Sequence, residues 1–255
     1  MADFSYDDFD GGFPAYVSVG ERRARSRLAA TKLEKKGRKL DPVRLEGSKI
    51  AASFWGKAWC KNLEGYSDFA NRLPRGRSYL RNGAVLDLRI AEGRIDALVA
   101  GSSVYKVTLE IDKLSRPRFV SLVSRCKGRI DSVVELLRGE LPEALITAMV
   151  DPIGGLFPEP KQMRFRCSCP DSAALCKHIA AVMYGVGARF DKQPETFFTL
   201  RSVKLEELVA KSAAAVATPK RRKAGGPSPR KGRAGLEQIF GIELDRAPRT
   251  ARRSR

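Results

Sequence analysis

Between residues 78 and 111 the chain alternates apolar and polar positions. Leu86, Leu88 and Ile90 are separated by Asp87 and Arg89, Ile95, Ala97 and Val99 follow the same period, and so do Tyr105, Val107, Leu109 and Ile111. A period of two marks half-buried strands. Asn82-Gly83, Glu92-Gly93 and Gly101-Ser102-Ser103 punctuate the run, the first of them being the strongest short-range hairpin signal. The pattern predicts a four-stranded antiparallel meander over residues 78–81, 84–91, 94–100 and 104–111.

Helical periodicity flanks this meander. Ile50, Phe54 and Ala58 share one face with Lys61, and Trp55, Trp59 and Leu63 lie beside it. Residues 117–150 carry Phe119, Leu122, Val123 and Cys126, then Ile130, Val133, Val134 and Leu137, with Gly128 and Gly139 between the pieces. After a Pro- and Gly-rich loop over 151–161, Met163–Cys167 reads as a strand. Ile179, Val182, Met183 and Val186 then form an i, i+3, i+4, i+7 stripe, and two short helices follow over 194–200 and 203–215. The fold class expected is α+β: a small antiparallel meander flanked by helices, then a strand-turn-helix unit, with disordered basic termini. The division expected is a mobile arm over 1–47, an α+β domain over 48–150, a finger with packing helices over 151–215, and a basic tail over 216–255.

Charge changes the picture of the two ends. The formal net charge is +19 and the pI about 10.1. Residues 21–49 hold eleven Lys and Arg against four acids, and residues 219–255 hold twelve against three. Such an excess points to polyanions, nucleic acid above all. The segment from Glu21 to Lys39 is rich in helix formers and is expected to become helical on a phosphate backbone. The leader mixes aspartates with Phe4, Tyr6, Phe9, Phe13 and Tyr16 and reads as an irregular arm. In the tail, residues 236–244 form an apolar island within a low-complexity basic stretch, a pattern that docks in partner grooves. The first residues are acidic and lack an apolar h-region, so no secretory leader is expected. No run of eighteen apolar residues spans a membrane. The location expected is cytoplasmic, with the nucleoid as a further site.

The chain has five cysteines and one histidine. Cys167, Cys169, Cys176 and His178 stand in the order C-x-C-x6-C-x-H. Three thiols and an imidazole are the donor set of a closed tetrahedral zinc site. Cys167 and Cys169 point to one side of an extended strand, Pro170 and Asp171 turn the chain, and Cys176 with His178 opens the helix. A disulfide or redox role and a catalytic zinc are the alternatives. The catalytic one requires an open coordination position that four ligands leave no room for. Cys60 and Cys126, within apolar helical patterns, read as buried thiols.

The residues of this cluster resemble the SWIM zinc finger, whose pattern is C-x-C, a variable gap, then C-x-H. The runs S-F-W-G-K-A-W (53–59), R-G-R-S-Y-L-R-N-G-A-V-L-D-L (75–88) and C-S-C-P-D…C-K-H-I-A-A-V (167–182) are similar to bacterial SWIM-finger proteins over about residues 48–210. The resemblance implies zinc as cofactor, with Cys167, Cys169, Cys176 and His178 as ligands. It also implies association with DNA or with helicase-like ATPases of the SWI/SNF class, and no defined reaction.

The expected function is therefore a non-catalytic, zinc-stabilised module that binds DNA or RNA beside a helicase-like ATPase. The alternative is a protein–protein adaptor whose finger and tail dock a partner. No small-molecule substrate and no membrane partner are expected. The chain has no G-x-x-x-x-G-K-[ST] loop, and its one histidine is taken by the metal, which leaves histidine-based acid–base chemistry without a candidate. The contact residues expected on nucleic acid are Arg164, Arg166 and Lys177 at the finger, Arg75, Arg77 and Arg81 beside the meander, and Lys220, Arg221, Arg222 and Lys223 in the tail. Trp55 and Trp59 are read as core, with base stacking as the alternative. The basic sheet face with Tyr79 or Tyr105 is read equally as a nucleic-acid cradle or as a solvated polar face.

Overall fold

A computed structural model describes residues 17–65, 72–127, 133–140, 142–151, 154–171 and 173–217. The leader, the tail with Lys220, Arg221, Arg222 and Lys223, and the island 236–244 lie outside the described residues.

Helix α1 (Val19–Lys35) opens with a reciprocal cap. Ser18 Oγ accepts the Glu21 N–H at 3.2 Å, and the Glu21 carboxylate accepts the Ser18 N–H at 2.9 Å. This capping box satisfies two orphan donors of the first turn, and Ala29, Ala30 and Leu33 pack against the core. The helix is thus formed without a phosphate backbone, contrary to the reading of this stretch as an arm. The ordered chain also begins well before Ser48. Asp41 O accepts from Leu88 N–H at 3.0 Å, and Val43 N–H donates to Val85 O at 3.3 Å, which lays residues 41–43 beside the first strand.

Helix α2 (Phe54–Glu64) carries both tryptophans. Each is essentially unexposed, and their indole N–H groups donate to Leu136 O at 2.9 Å and Met183 O at 2.8 Å. They pack edge-on against Phe190, Phe197 and Phe198. A buried ring with a satisfied N–H is a core residue, and no face is left for a base.

The region expected as the first meander strand is instead helix α3 (Leu73–Arg81). Leu73, Gly76 and Leu80 are its buried positions, a helical rather than a strand period. Gly83 has φ +69°, donates to Leu80 O at 2.9 Å, and is followed by Ala84 donating to Tyr79 O at 3.1 Å. Those two bonds are a Schellman cap. Asn82-Gly83 supplies the left-handed residue that a type I′ hairpin also needs, and here it ends a helix.

The other three strands lie as expected: β1 (Val85–Ala91), β2 (Arg94–Ala100) and β3 (Val104–Ile111), successive and antiparallel. The fourth strand, β4 (Met163–Cys167), comes from the finger. It pairs antiparallel with β3, placing Met163 opposite Ile111, Phe165 opposite Leu109 and Cys167 opposite Val107. The sheet order is β1-β2-β3-β4. Helices α4 (Arg116–Arg125), α5 (Val133–Arg138) and α6 (Glu143–Val150) lie between β3 and β4 in sequence.

Helix α7 (Lys177–Lys192) is the centre of the core. Twelve of its residues, from His178 to Phe190, are buried, and it packs on α2, α3 and the sheet. Helices α8 (Glu195–Leu200) and α9 (Leu205–Ala217) return onto this body. No described helix is long and apolar enough to cross a membrane.

Candidate metal centre

Two elements deliver the four ligands. Cys167 ends β4, and the ladder runs one residue further. Ser168 N–H donates to Lys106 O at 3.0 Å, while Ser168 Oγ accepts the Lys106 N–H at 2.9 Å. Extended backbone through Ser168 turns Cys167 and Cys169 to the same side. Asp171 then shapes the turn by accepting the Ala173 N–H at 3.1 Å, and it pairs with Arg72 at 3.5 Å. Cys176 is the N-cap of α7, and His178 lies in its first turn.

The donor atoms of Cys167, Cys169, Cys176 and His178 lie within 4.8 Å of one another. His178 Nδ1 is 3.9 Å from the sulfurs of both Cys167 and Cys176. Ligands about 2.0–2.3 Å from one tetrahedral ion lie about 3.5–3.8 Å apart, so a small contraction closes the shell around zinc. The ring nitrogen that faces the sulfurs is Nδ1. Nε2 is buried and meets no hydrogen-bond partner among the described residues.

Local electrostatics suit the neutral imidazole that zinc needs. Burial, followed by the charge of Lys177, brings the His178 pKa down to about 4. Burial also pushes the thiols of Cys167 and Cys176 above their ordinary range. These thiols give up protons to a metal and hold them otherwise. Burial likewise raises Cys60, to about 12, which fits an inert thiol.

Aromatic rings fix the imidazole. Tyr105 lies 4.4 Å from the His178 ring and Tyr79 meets it edge-on at 5.3 Å. Gly101 completes the enclosure. A Cβ there would stand 2.7 Å from the Tyr105 ring and 3.0 Å from His178 Nε2. Gly101→Ala is therefore expected to displace the ligand and weaken zinc affinity by about 10- to 100-fold, the usual cost of disturbing an outer-shell neighbour. Competition with a chromophoric chelator measures this. Unchanged affinity would show that the ring has room to move.

The residues expected on nucleic acid are dispersed. Arg164 is engaged with Glu110 at 3.3 Å and Asp112 at 2.9 Å. Arg77 pairs with Glu64 at 2.9 Å, and Arg81 donates to Ser48 O at 3.3 Å. Arg166 is exposed on β4. On the outer sheet face Arg89 pairs with Asp87 and Arg94 with Asp96. The charges there are largely matched, as on an ordinary solvated face. Arg75 and Lys177, by contrast, line one cleft, together with Arg22 and Arg25 of α1. Those two arginines were not anticipated as contacts. The signal that locates them is the Ser18-x-x-Glu21 capping box, which orders the helix bearing them.

Residues 160–186 match the SWIM zinc finger family. The chain is 33% identical over 169 residues to the uncharacterised protein Rv2102 of Mycobacterium tuberculosis, an overlap of 65% of this chain and 61% of that protein. The chain thus spans about 61% of the length of this curated relative. No solved structure matches. With its four ligands brought to one point by β4 and the start of α7, the segment 160–186 is a SWIM zinc finger, and its metal is zinc.

Proposed function

We propose that this chain is a non-catalytic nucleic-acid-binding module, engaging DNA without strong sequence preference and acting beside a helicase-like ATPase supplied by another chain. The observation that supports this reading is the charge. The sequence carries +19, and the acids of the folded body are occupied largely by ion pairs such as Arg118–Glu159 and Arg189–Asp41. Cations such as Arg75, Arg166 and Lys177 make no ion pair among the described residues. A surplus of this kind binds phosphates with little regard to base sequence. The zinc holds the finger loop on the body and takes no part in a reaction.

The test is a titration of fluorescent single- and double-stranded DNA and RNA at several salt concentrations, using the full chain and a chain ending at Thr218. For the full chain, log K is expected to fall linearly with log[salt]. Binding that persists in the shorter chain places the contact on the folded body. Binding that vanishes with the tail favours the adaptor, in which the finger and the 236–244 island dock a partner protein. A full chain that binds none of these nucleic acids sinks the proposal.

A further inference from the structure

The nucleic-acid reading makes no use of residues 1–16. This segment holds Asp3, Asp7, Asp8 and Asp10, the aromatic residues Phe4, Tyr6, Phe9, Phe13 and Tyr16, and neither Lys nor Arg. It joins the body at a defined place. Val17, the next residue, lines a slot of about 510 Å³ between α1 and α3, floored by the turn between β2 and β3. Arg22 fixes Val17 there by donating to its carbonyl oxygen at 2.7 and 2.9 Å. Arg25, Arg75, Lys177 and the half-buried Tyr79 share the lining, and Lys177 Nζ stands 5.6 Å from the Tyr79 ring centre. A second groove continues from the slot along α1, since Arg25, Ala100 and Gly101 line both. There Leu28, 63% exposed, and Val104 lie with Lys32 and Lys36. Cations and apolar side chains are thus mixed along the whole trough.

We infer that residues 1–16 fold back as a strap over this trough, so that the acidic-aromatic segment docks on the basic and apolar side chains of its own chain. Complementarity selects the occupant. The aspartates suit Arg25, Arg75, Lys32, Lys36 and Lys177, with the two guanidinium groups able to take a carboxylate bidentately. The aromatic rings suit Tyr79, Leu28 and Val104. A sugar-phosphate backbone would answer the cations and leave the exposed leucine and valine in water. The segment is also long enough. Sixteen extended residues reach about 50 Å, whereas α1, with its 17 residues, is about 26 Å long. Gly11-Gly12 and Pro14 supply the turn chemistry for doubling back from Val17. Exposed ion pairs are individually weak, and the covalent join offsets that weakness. A short tether gives an effective concentration of about 1 mM, so an intrinsic Kd of about 100 μM suffices to keep the strap about ten-to-one docked. The docking does not rest on the nucleic-acid reading. Any polyanion drawn to these cations has to displace the strap first.

The experiment is limited chymotrypsin digestion of the full, zinc-loaded chain, with cleavage after Tyr6 and Phe9 followed by mass spectrometry. Each rate is compared with that of a free peptide of the same 1–18 sequence, because cleavage tracks the undocked fraction when docking exchanges rapidly. The wild-type segment is expected to be cut about tenfold more slowly than its peptide. Arg25→Ala/Arg75→Ala should restore most of the peptide rate. So should Asp7→Asn/Asp8→Asn/Asp10→Asn, which leaves every residue of the described body in place and so tests the docking even if the arginine pair fails to fold. Lys57→Ala/Lys61→Ala, which removes the same charge from exposed positions of α2, should stay protected as wild type is. Protection should not change on hundredfold dilution. A wild-type segment cut as fast as its peptide overturns the strap. Protection that survives both the arginine and the aspartate variants, or that both lysine-to-alanine and arginine-to-alanine pairs weaken equally, overturns the trough as its site. Protection lost on dilution makes a second copy the partner and overturns docking within one chain.

Discussion

Removing zinc by chelation, or replacing Cys169 with serine, is expected to lower the thermal midpoint by about 8–16 °C while leaving the helical circular dichroism largely in place. The magnitude follows from linkage. Zinc held at about a thousand times its Kd stabilises the state that binds it by about 4 kcal/mol, and a domain of this size shifts by about 2–4 °C per kcal/mol. An isolated zinc finger unfolds outright without its metal, because it has no other core. Here β4 is hydrogen-bonded to β3 and α7 is buried among α2, α3 and the sheet, so the loss should stay local to the turn between Cys167 and Cys176. Complete loss of helicity on chelation would show that the metal, not the core, nucleates the body.

The pH dependence has two parts of known sign. In the metal-free protein His178 resists protonation down to about 4, whereas in the unfolded chain it protonates near 6.5. The unfolded state therefore binds the extra proton between those values. This contribution to stability is full above pH 6.5 and is lost as pH falls through 4. In the presence of zinc, the raised thiols of Cys167 and Cys176 make protons stronger competitors, so affinity falls as pH falls. Zinc uptake at pH 7 should release at least about two protons, from these thiols, and none from His178. Weakly buffered titration with an indicator dye measures the release.

The metal centre was readable from sequence because its geometry is local. The alternation of a strand sets Cys167 and Cys169 side by side, and the start of a helix sets Cys176 and His178, within a dozen residues. β4 and the opening of α7 fall where those rules place them. Local pattern does not say which strand β4 joins. Its partner, β3, is chosen by shared burial of Val107 and Leu109 with the inward face of Phe165. Asn82-Gly83 failed as a hairpin signal for a related reason. A positive φ at Gly83 is required by both a type I′ turn and a Schellman cap, and only the period of Leu73, Gly76 and Leu80 separates them. The α1 segment was misjudged because its net charge outweighed its cap. Lys and Arg are good helix formers, and Ala29, Ala30 and Leu33 are enough to dock it.

Local pattern also leaves unexplained how α7 accepts two helices so closely, and this leads to the second large effect. Gly76 of α3 faces Ala180 and Ala181 of α7. A Cβ at Gly76 would stand 2.5 Å from the Ala180 Cβ, 2.7 Å from its carbonyl carbon and 2.9 Å from the Ala181 nitrogen. Two effects of opposite sign compete in Gly76→Ala. Helix propensity favours alanine by about 1 kcal/mol, while overpacking a tight contact costs about 1–3 kcal/mol or more. Two of the three close neighbours are backbone atoms of a buried helix, which cannot turn aside as a flexible side chain can, so the steric cost is expected to win. Gly76→Ala should destabilise by about 1 kcal/mol net and Gly76→Val by about 3 kcal/mol or more, since a branched side chain adds bulk and loses propensity. Gly20→Ala on α1, where the nearest atom is the Ser18 Oγ at 3.9 Å, is the control and should be neutral or slightly stabilising. Urea denaturation of the zinc-loaded chain reads all three. A Gly76→Ala protein at least as stable as wild type would mean that α3 can ride up on α7 at no cost. In that case the close approach of these helices would not be what holds Tyr79 against His178.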